Sequence, residues 1–249
     1  MQETVIYRKK TPYQEILLTR LDPEERIALY LDEAIQFVSG PDDRIYHHAL
    51  AGLGADYKAP RPVDVLILGG GDGLAARDLF ARPHVRSVTM VELDPGMIDF
   101  AARHPEMAAL NRLSLYDPRM DLRIGDARRF LFTPPTKRYD LAVLDFPDPL
   151  SHGLEDLFSR RLYTGLMGHL KPDALVAVQS SGAYSPTEDK VRRLLGHLMG
   201  DVHAVHFRGH HMADGVIVYG SKSLDPRKLR IPASWNTSNL DSNVGAELF

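Results

Sequence analysis

The chain has no cysteine. Disulfides, thiolate metal centres and a cysteine nucleophile are therefore excluded, and the chain suits a reducing, cytoplasmic compartment. Long hydrophobic runs are missing too. The most apolar stretches, such as "VLIL" and "LAVL", are far shorter than a membrane-spanning helix. The first residues, "MQETVIYRKK", lack the apolar centre of a secretory signal. There is no excess of one charge. A net charge of −3 over 249 residues gives no general attraction to nucleic acid or to an anionic membrane. Repeats and low-complexity tracts are absent as well. What is left is ordinary globular material, 44% hydrophobic and 25% charged, enough for one large domain with a small companion.

The chain divides near "KAPRP", where two prolines favour an extended connector. Residues 1–57 are expected to form a small β-hairpin unit with one helix. "YQEILLTR" and "RIALYLDEAIQFV" carry partial period-2 alternation around the turn "LDPEE", and "DDRIYHHALAGL" reads as helical. Residues 58–249 change rhythm. Strands at 63–69, 85–92, 120–126, 139–145 and 174–180 alternate with helical stretches. Asp94 with Pro95 opens one of these helices, and Ser185 with Glu188 opens another. Two further strands, "DVHAVHF" and "GVIVYGS", follow with no helix between them, so one of them is free to run antiparallel. The expectation is an α/β fold. It is a Rossmann-like seven-stranded sheet of the methyltransferase type, with helices on both faces, preceded by the β-hairpin unit. Ligands of such sheets bind at the carboxyl ends of the strands, so the residues there are the candidates for function.

The first strand of the large sheet ends in "GGGDG", Gly69 to Gly73. Glycines here let the backbone turn tightly and approach a ligand, with Gly69 and Gly71 as candidates. Leu74 stands where a dinucleotide fingerprint has its third glycine, so a plain strand-to-helix turn stays open as a reading. The next strand ends in "VELD". Glu92 lies where an acid can accept from both ribose hydroxyls, while Asp94 is free to cap the following helix. "GDA" places Asp126 and Ala127 where an exocyclic amine such as that of adenine would arrive, although Asp126 can also simply cap "ARRFLF". Together these residues describe a nucleoside site without a pyrophosphate, which favours an S-adenosyl sulfonium compound over a dinucleotide. Asp72 would sit near its tail, where an acid suits an ammonium group. The fourth strand ends in "LDFPDPL". Asp145 and Asp148 at this point could bind a metal, hold a cation or accept a proton. Catechol-type methyltransferases use a metal at such a place, but a cationic amine fits better. One acid can hold an ammonium while another takes the proton that frees a nitrogen lone pair. No metal is expected. The histidines His203, His206, His210 and His211 match no strong ligand spacing.

In order and spacing, "YQEI", "LYLDEAIQF", "RIYHHAL", "LILGGGDG", "VELDP", "LRIGDARRFL", "YDLAVLDFPDP" and "LVAVQS" resemble the polyamine aminopropyltransferases, the spermidine synthase family. The likeness runs from about Tyr13 to Ser221. It is closest to a bacterial branch with a membrane-embedded segment before the enzyme domain, and no such segment is read in this sequence. The resemblance implies transfer of the aminopropyl group of decarboxylated S-adenosylmethionine to an amine such as putrescine, giving spermidine and methylthioadenosine. Carried over by motif, Gln14, Asp72, Glu92, Asp126 and Ala127 would hold this co-substrate, with Gln36 lining the same cleft. Asp145 would accept the proton, and Tyr46, His47, Asp148 and Gln179 would line the amine site. A homodimer or larger homo-oligomer is implied as well. The sequence departs from the family at Glu33, where a glycine is common, and at His48, where the family's Tyr-His-Glu has its glutamate. It departs again at "RGHHMADGV", where His210, His211 and Asp214 replace an aromatic-rich loop. Two other readings stay open: an S-adenosylmethionine-dependent methyltransferase, and a non-catalytic homologue that keeps the nucleoside pocket.

Overall fold

The computed structural model of the chain describes residues 2–147, 155–182, 184–208 and 214–232. The N-terminal unit is a four-stranded antiparallel sheet in the order β1 (Gln2–Lys10), β2 (Glu15–Asp22), β3 (Arg26–Leu31) and β4 (Ala34–Val38). β1 extends the hairpin read from sequence. Its polar text hides it, and Val5 is 53% exposed. "RIALYLDEAIQFV" is two strands, broken at Asp32 and Glu33, whose φ values are 46° and 70°. Two successive left-handed residues make a tight hairpin turn that keeps the strand twist. A glutamate in that conformation costs about 1 kcal/mol against glycine, which gives a physical meaning to the family's glycine at this position.

Ile16, Leu18, Leu29 and Phe37 of this sheet are buried together with Leu74, Met97, Phe100 and Met107. Those partners belong to α3 (Leu74–Phe80), α4 (Pro95–Arg103) and α5 (Pro105–Leu110). The small sheet is thus fastened to the helices beside the glycine loop.

The large sheet has the order β10-β11-β9-β8-β5-β6-β7. Its strands are β5 (Val63–Gly69), β6 (Val85–Glu92), β7 (Met120–Ile124), β8 (Tyr139–Asp145), β9 (Leu170–Gly182), β10 (Asp201–Phe207) and β11 (Gly215–Ser221). β5 to β9 run parallel, while β11 is antiparallel to both β9 and β10. Alternate residues divide between two cores, as the pleat requires. Val65, Ile67, Leu141, Val143 and Ile217 face one. Leu66, Leu68, Ala142, Leu144 and Val218 face the other, against α6 (Ala127–Phe132), α7 (Arg160–Gly168) and α8 (Pro186–Met199). β5 has β6 on one side and β8 on the other, so the strand order reverses there and leaves a crevice at the carboxyl ends.

The first core is covered by α1 (Pro41–His47), a wider π-turn at His48–Gly52, and α2 (Leu53–Lys58). The buried Tyr219 hydroxyl donates to the Ala49 carbonyl at 2.6 Å. α1 is tied to α3 by a buried ion pair. Asp43 Oδ1 lies 2.8 Å from Arg77 Nη2, and Asp43 Oδ2 accepts from the Gly40 amide at 2.9 Å. Removing one partner of such a pair strands the other charge in a low-dielectric interior. Asp43→Ala is therefore expected to cost about 3–5 kcal/mol in urea unfolding. Glu33→Gly should instead raise stability by about 1 kcal/mol in the same assay, by relieving the left-handed strain.

Candidate active site

A cleft of about 540 Å³ opens at the carboxyl ends of the central strands and is walled on its far side by the N-terminal sheet. The chain leaves β5 through two left-handed glycines, Gly69 at φ 84° and Gly70 at φ 72°. Gly69 pairs with Asp145 on the last rung between β5 and β8, and a Cβ there would collide with the Asp145 carbonyl. A Cβ on Gly71 would lie 2.9 Å from the Glu92 carboxyl group, so the loop passes directly over that acid. At the entry to α3, Asp72 Oδ1 accepts from the Leu74 amide at 2.8 Å. Two side chains brace the loop from behind. Asn111 donates to the Asp72 carbonyl at 3.0 Å, and Ser114 donates to the Gly73 carbonyl at 2.7 Å.

β6 delivers Glu92, whose Oε1 accepts from the Asp94 amide at 2.9 Å. Asp94 caps α4 through the Gly96 amide at 2.8 Å, as its sequence position implied. Its second oxygen reaches across to the N-terminal unit, accepting from Gln14 Nε2 at 3.0 Å and Thr11 Oγ1 at 2.8 Å. Gln14 is thus positioned by the acid that caps α4. Asp126 satisfies both readings open to it. It lines the cleft, and it caps α6 through the Arg128 amide at 2.8 Å. The Arg128 guanidinium, 2.7 Å from Oδ2, holds the Asp126 carboxyl below the usual carboxylate range.

At the other end of the cleft the Tyr46 hydroxyl donates to Asp145 Oδ1 at 2.8 Å. The neighbouring His47 is buried, and its Nδ1 is 2.6 Å from the Asp43 carbonyl, which fixes the ring. Phe207 stands edge-on to Tyr46, with ring centroids 6.1 Å apart.

Gln14, Gln36, Tyr46, His47, Gly69, Gly71, Asp72, Glu92, Asp126, Ala127, Asp145 and Gln179 therefore all line one cleft. Asp148, His210 and His211 lie outside the described residues. His48 does not face the cleft. Its Nε2 is 3.3 Å from Asp56 on α2, and it borders a separate cavity. His206 pairs with the buried Glu188 at 3.1 Å. Sequence reasoning did not single out Asp42, Arg128 and Arg208, and it gave Asp94 only the capping role. Asp42 had a usable signal, since it lies four residues before Tyr46 and so on the same helix face.

Among the described residues, eight carboxylates line the cleft, from Asp32, Asp42, Asp72, Glu92, Asp94, Asp126, Asp145 and Asp214, against the two arginines Arg128 and Arg208. A site of that charge suits a cationic ligand. It also resists full ionisation when empty. Burial, together with the charges of Asp94 and Asp72, pushes Glu92 up to about 7. Burial and the nearby Asp72 push Asp145 up to about 6, opposed by His47 and by the Tyr46 hydrogen bond.

Residues 43–198 match the spermine/spermidine synthase domain. The chain belongs to that family. Among its relatives are polyamine aminopropyltransferase 2 of Bacillus cereus, 37% identical over 180 residues, and the polyamine aminopropyltransferase of Oceanobacillus iheyensis, 34% identical over 180 residues. Each alignment takes in 72% of this chain, but only 48% of the first relative and 34% of the second. The chain thus spans about half their length or less. Two solved spermidine synthases share the fold. One is in complex with the transition-state analogue AdoDATO, with a TM-score of 0.79 and 21% identity, covering 92% of this chain and 80% of that one. The other is from Thermotoga maritima, with a TM-score of 0.77 and 20% identity, covering 94% and 79%. In this member of the spermine/spermidine synthase family, no helix among the described residues is long and apolar enough to cross a membrane.

The raised acids set a pH dependence. Between the ordinary carboxylate range and about pH 7, folded Glu92 keeps a proton that the unfolded chain releases. Stability of the empty protein therefore falls as pH rises through that window. Glu92→Gln should raise the free energy of unfolding measured in urea at pH 8 by on the order of 2 kcal/mol, and leave it nearly unchanged at pH 4. A variant less stable than its parent at pH 8 would contradict this account.

Proposed function

We propose that the protein transfers the aminopropyl group of decarboxylated S-adenosylmethionine to an amine such as putrescine, giving spermidine and methylthioadenosine. The observation that carries this reading is the Tyr46–Asp145 hydrogen bond in an acid-lined cleft of about 540 Å³. Family membership and the AdoDATO-bound spermidine synthase neighbour support it.

In this reading Glu92 accepts from the ribose hydroxyls. Asp126 and Ala127 meet the adenine edge. The Gly69–Gly71 backbone gives the sulfonium room, with Asp72 and Gln14 toward the donor's ammonium and Gln36 on the same wall. The donor's sulfonium already makes the adjacent methylene carbon electrophilic, so the residues have only to position and deprotonate. The acceptor nitrogen, aligned by Tyr46, His47, Asp148 and Gln179, attacks that carbon with its lone pair. The carbon–sulfur bond breaks, its electron pair returns to sulfur, and neutral methylthioadenosine leaves. The proton displaced from nitrogen goes to Asp145, whose affinity near 6 lies within reach of neutral pH. Both reactants are cations, so binding relieves the mutual repulsion of the carboxylates that receive them.

A cytoplasmic location and a homodimeric or larger assembly belong to the same proposal and rest on the family resemblance. The test is to incubate the protein with decarboxylated S-adenosylmethionine and a panel of amines, and to follow methylthioadenosine. Release with an amine is expected. No release with any amine, together with S-adenosylhomocysteine from ordinary S-adenosylmethionine, would replace the proposal by methyl transfer. Asp145→Asn should lower turnover by about 100-fold or more while calorimetric binding of methylthioadenosine persists.

A further inference from the structure

Position 48, where the family's glutamate stands, is directed out of the cleft, toward Asp56. His48 therefore offers no contact to the far end of a ligand in the cleft. From Asp145 the cleft wall continues through Tyr46 to Phe207, and Phe207 lies across Gly215 so closely that a Cβ there would collide with its ring. This apolar strip ends at Asp214, the residue before Gly215, whose carbonyl is 3.6 Å from where a Cβ on Gly182 would be. Asp214 lines the cleft and is 36% exposed. Its counter-ion is Arg208, at 3.8 Å and 55% exposed. A pair at that separation, open to water, holds its partners weakly. Arg208 is also a cation in a cleft otherwise rich in acids, where it keeps Asp214 neutralised while the site is empty.

We infer that Asp214 receives the distal ammonium of a diamine acceptor, displacing Arg208, and that this pair sets the preference for diamines over monoamines. The inference rests on the aminopropyl-transfer reading for the identity of the acceptor. The methylene chain lies on the Tyr46 and Phe207 rings, one nitrogen is presented at Asp145, and the other replaces the Arg208 guanidinium on the Asp214 carboxylate. A charge-assisted contact of this kind, discounted for exposure, corresponds to about tenfold in affinity. Arg208 competes for the same oxygens, so its removal strengthens the preference.

The experiment compares 1,4-diaminobutane with butylamine, by calorimetric binding to the methylthioadenosine-loaded protein and by KM in the transfer assay. Asp214→Asn is expected to lower the diamine-to-monoamine ratio of binding constants by about tenfold, and Arg208→Ala to raise it. Asp42→Asn is the comparison, being another acid of the cleft, on α1 one turn before Tyr46. The inference is overturned if Asp214→Asn weakens both amines equally or neither, if only Asp42→Asn lowers the ratio, or if the unaltered protein binds no diamine. Diamine binding that depends on Asp214, without release of methylthioadenosine, would keep this inference and remove the transfer reading.

Discussion

The rung that joins Gly69 to Asp145 is the contact on which the cleft depends. It is the last pairing between β5 and β8, and it brings two chemically different ends together. On one side the chain turns away through left-handed glycines. On the other it ends in the acid that Tyr46 holds. A side chain at position 69 would meet the Asp145 backbone. The absence of a side chain is thus what allows the glycine loop and the acid bound by Tyr46 to share one strand boundary. The Glu92 carboxyl under Gly71 repeats the pattern one strand further along.

The acids of the cleft work against the stability of the empty protein and in favour of its occupied state. Glu92 and Asp145 both resist ionisation chiefly because they are buried, and the nearby carboxylates add to that cost. Elsewhere the protein keeps its buried charges matched. Asp43 faces Arg77, and Glu188 faces His206. The unmatched charge is concentrated where a cationic ligand would complete it. Local departures from good folding practice tend to mark the places where a ligand is expected.

Most of this arrangement was legible in the sequence because it lies at strand ends. Apolar runs of strand length located β5, β6, β8 and β9. The polar residue following each run then had to sit at the carboxyl edge of the sheet, which is how Gly69, Glu92 and Asp145 were found. The less legible parts had no such punctuation. β1 is an edge strand with a largely polar text. The turn at Asp32 and Glu33 has the left-handed geometry of a glycine turn without the glycine. Asp42 reads as a first-turn acid that favours any helix dipole, and only the placement of α1 against the cleft gives it another meaning. Position 48 follows Tyr46 and His47 directly in sequence, yet the helix turns its side chain toward Asp56 and away from the cleft that those two line.

The bond from Tyr46 to Asp145 spans 99 residues of chain, and that from Gln14 to Asp94 spans 80. Contacts this distant in sequence close large loops, and their entropy has to be met before any of them forms. The cleft is therefore a product of the whole fold: a fragment holding only one side of either bond lacks a wall of it.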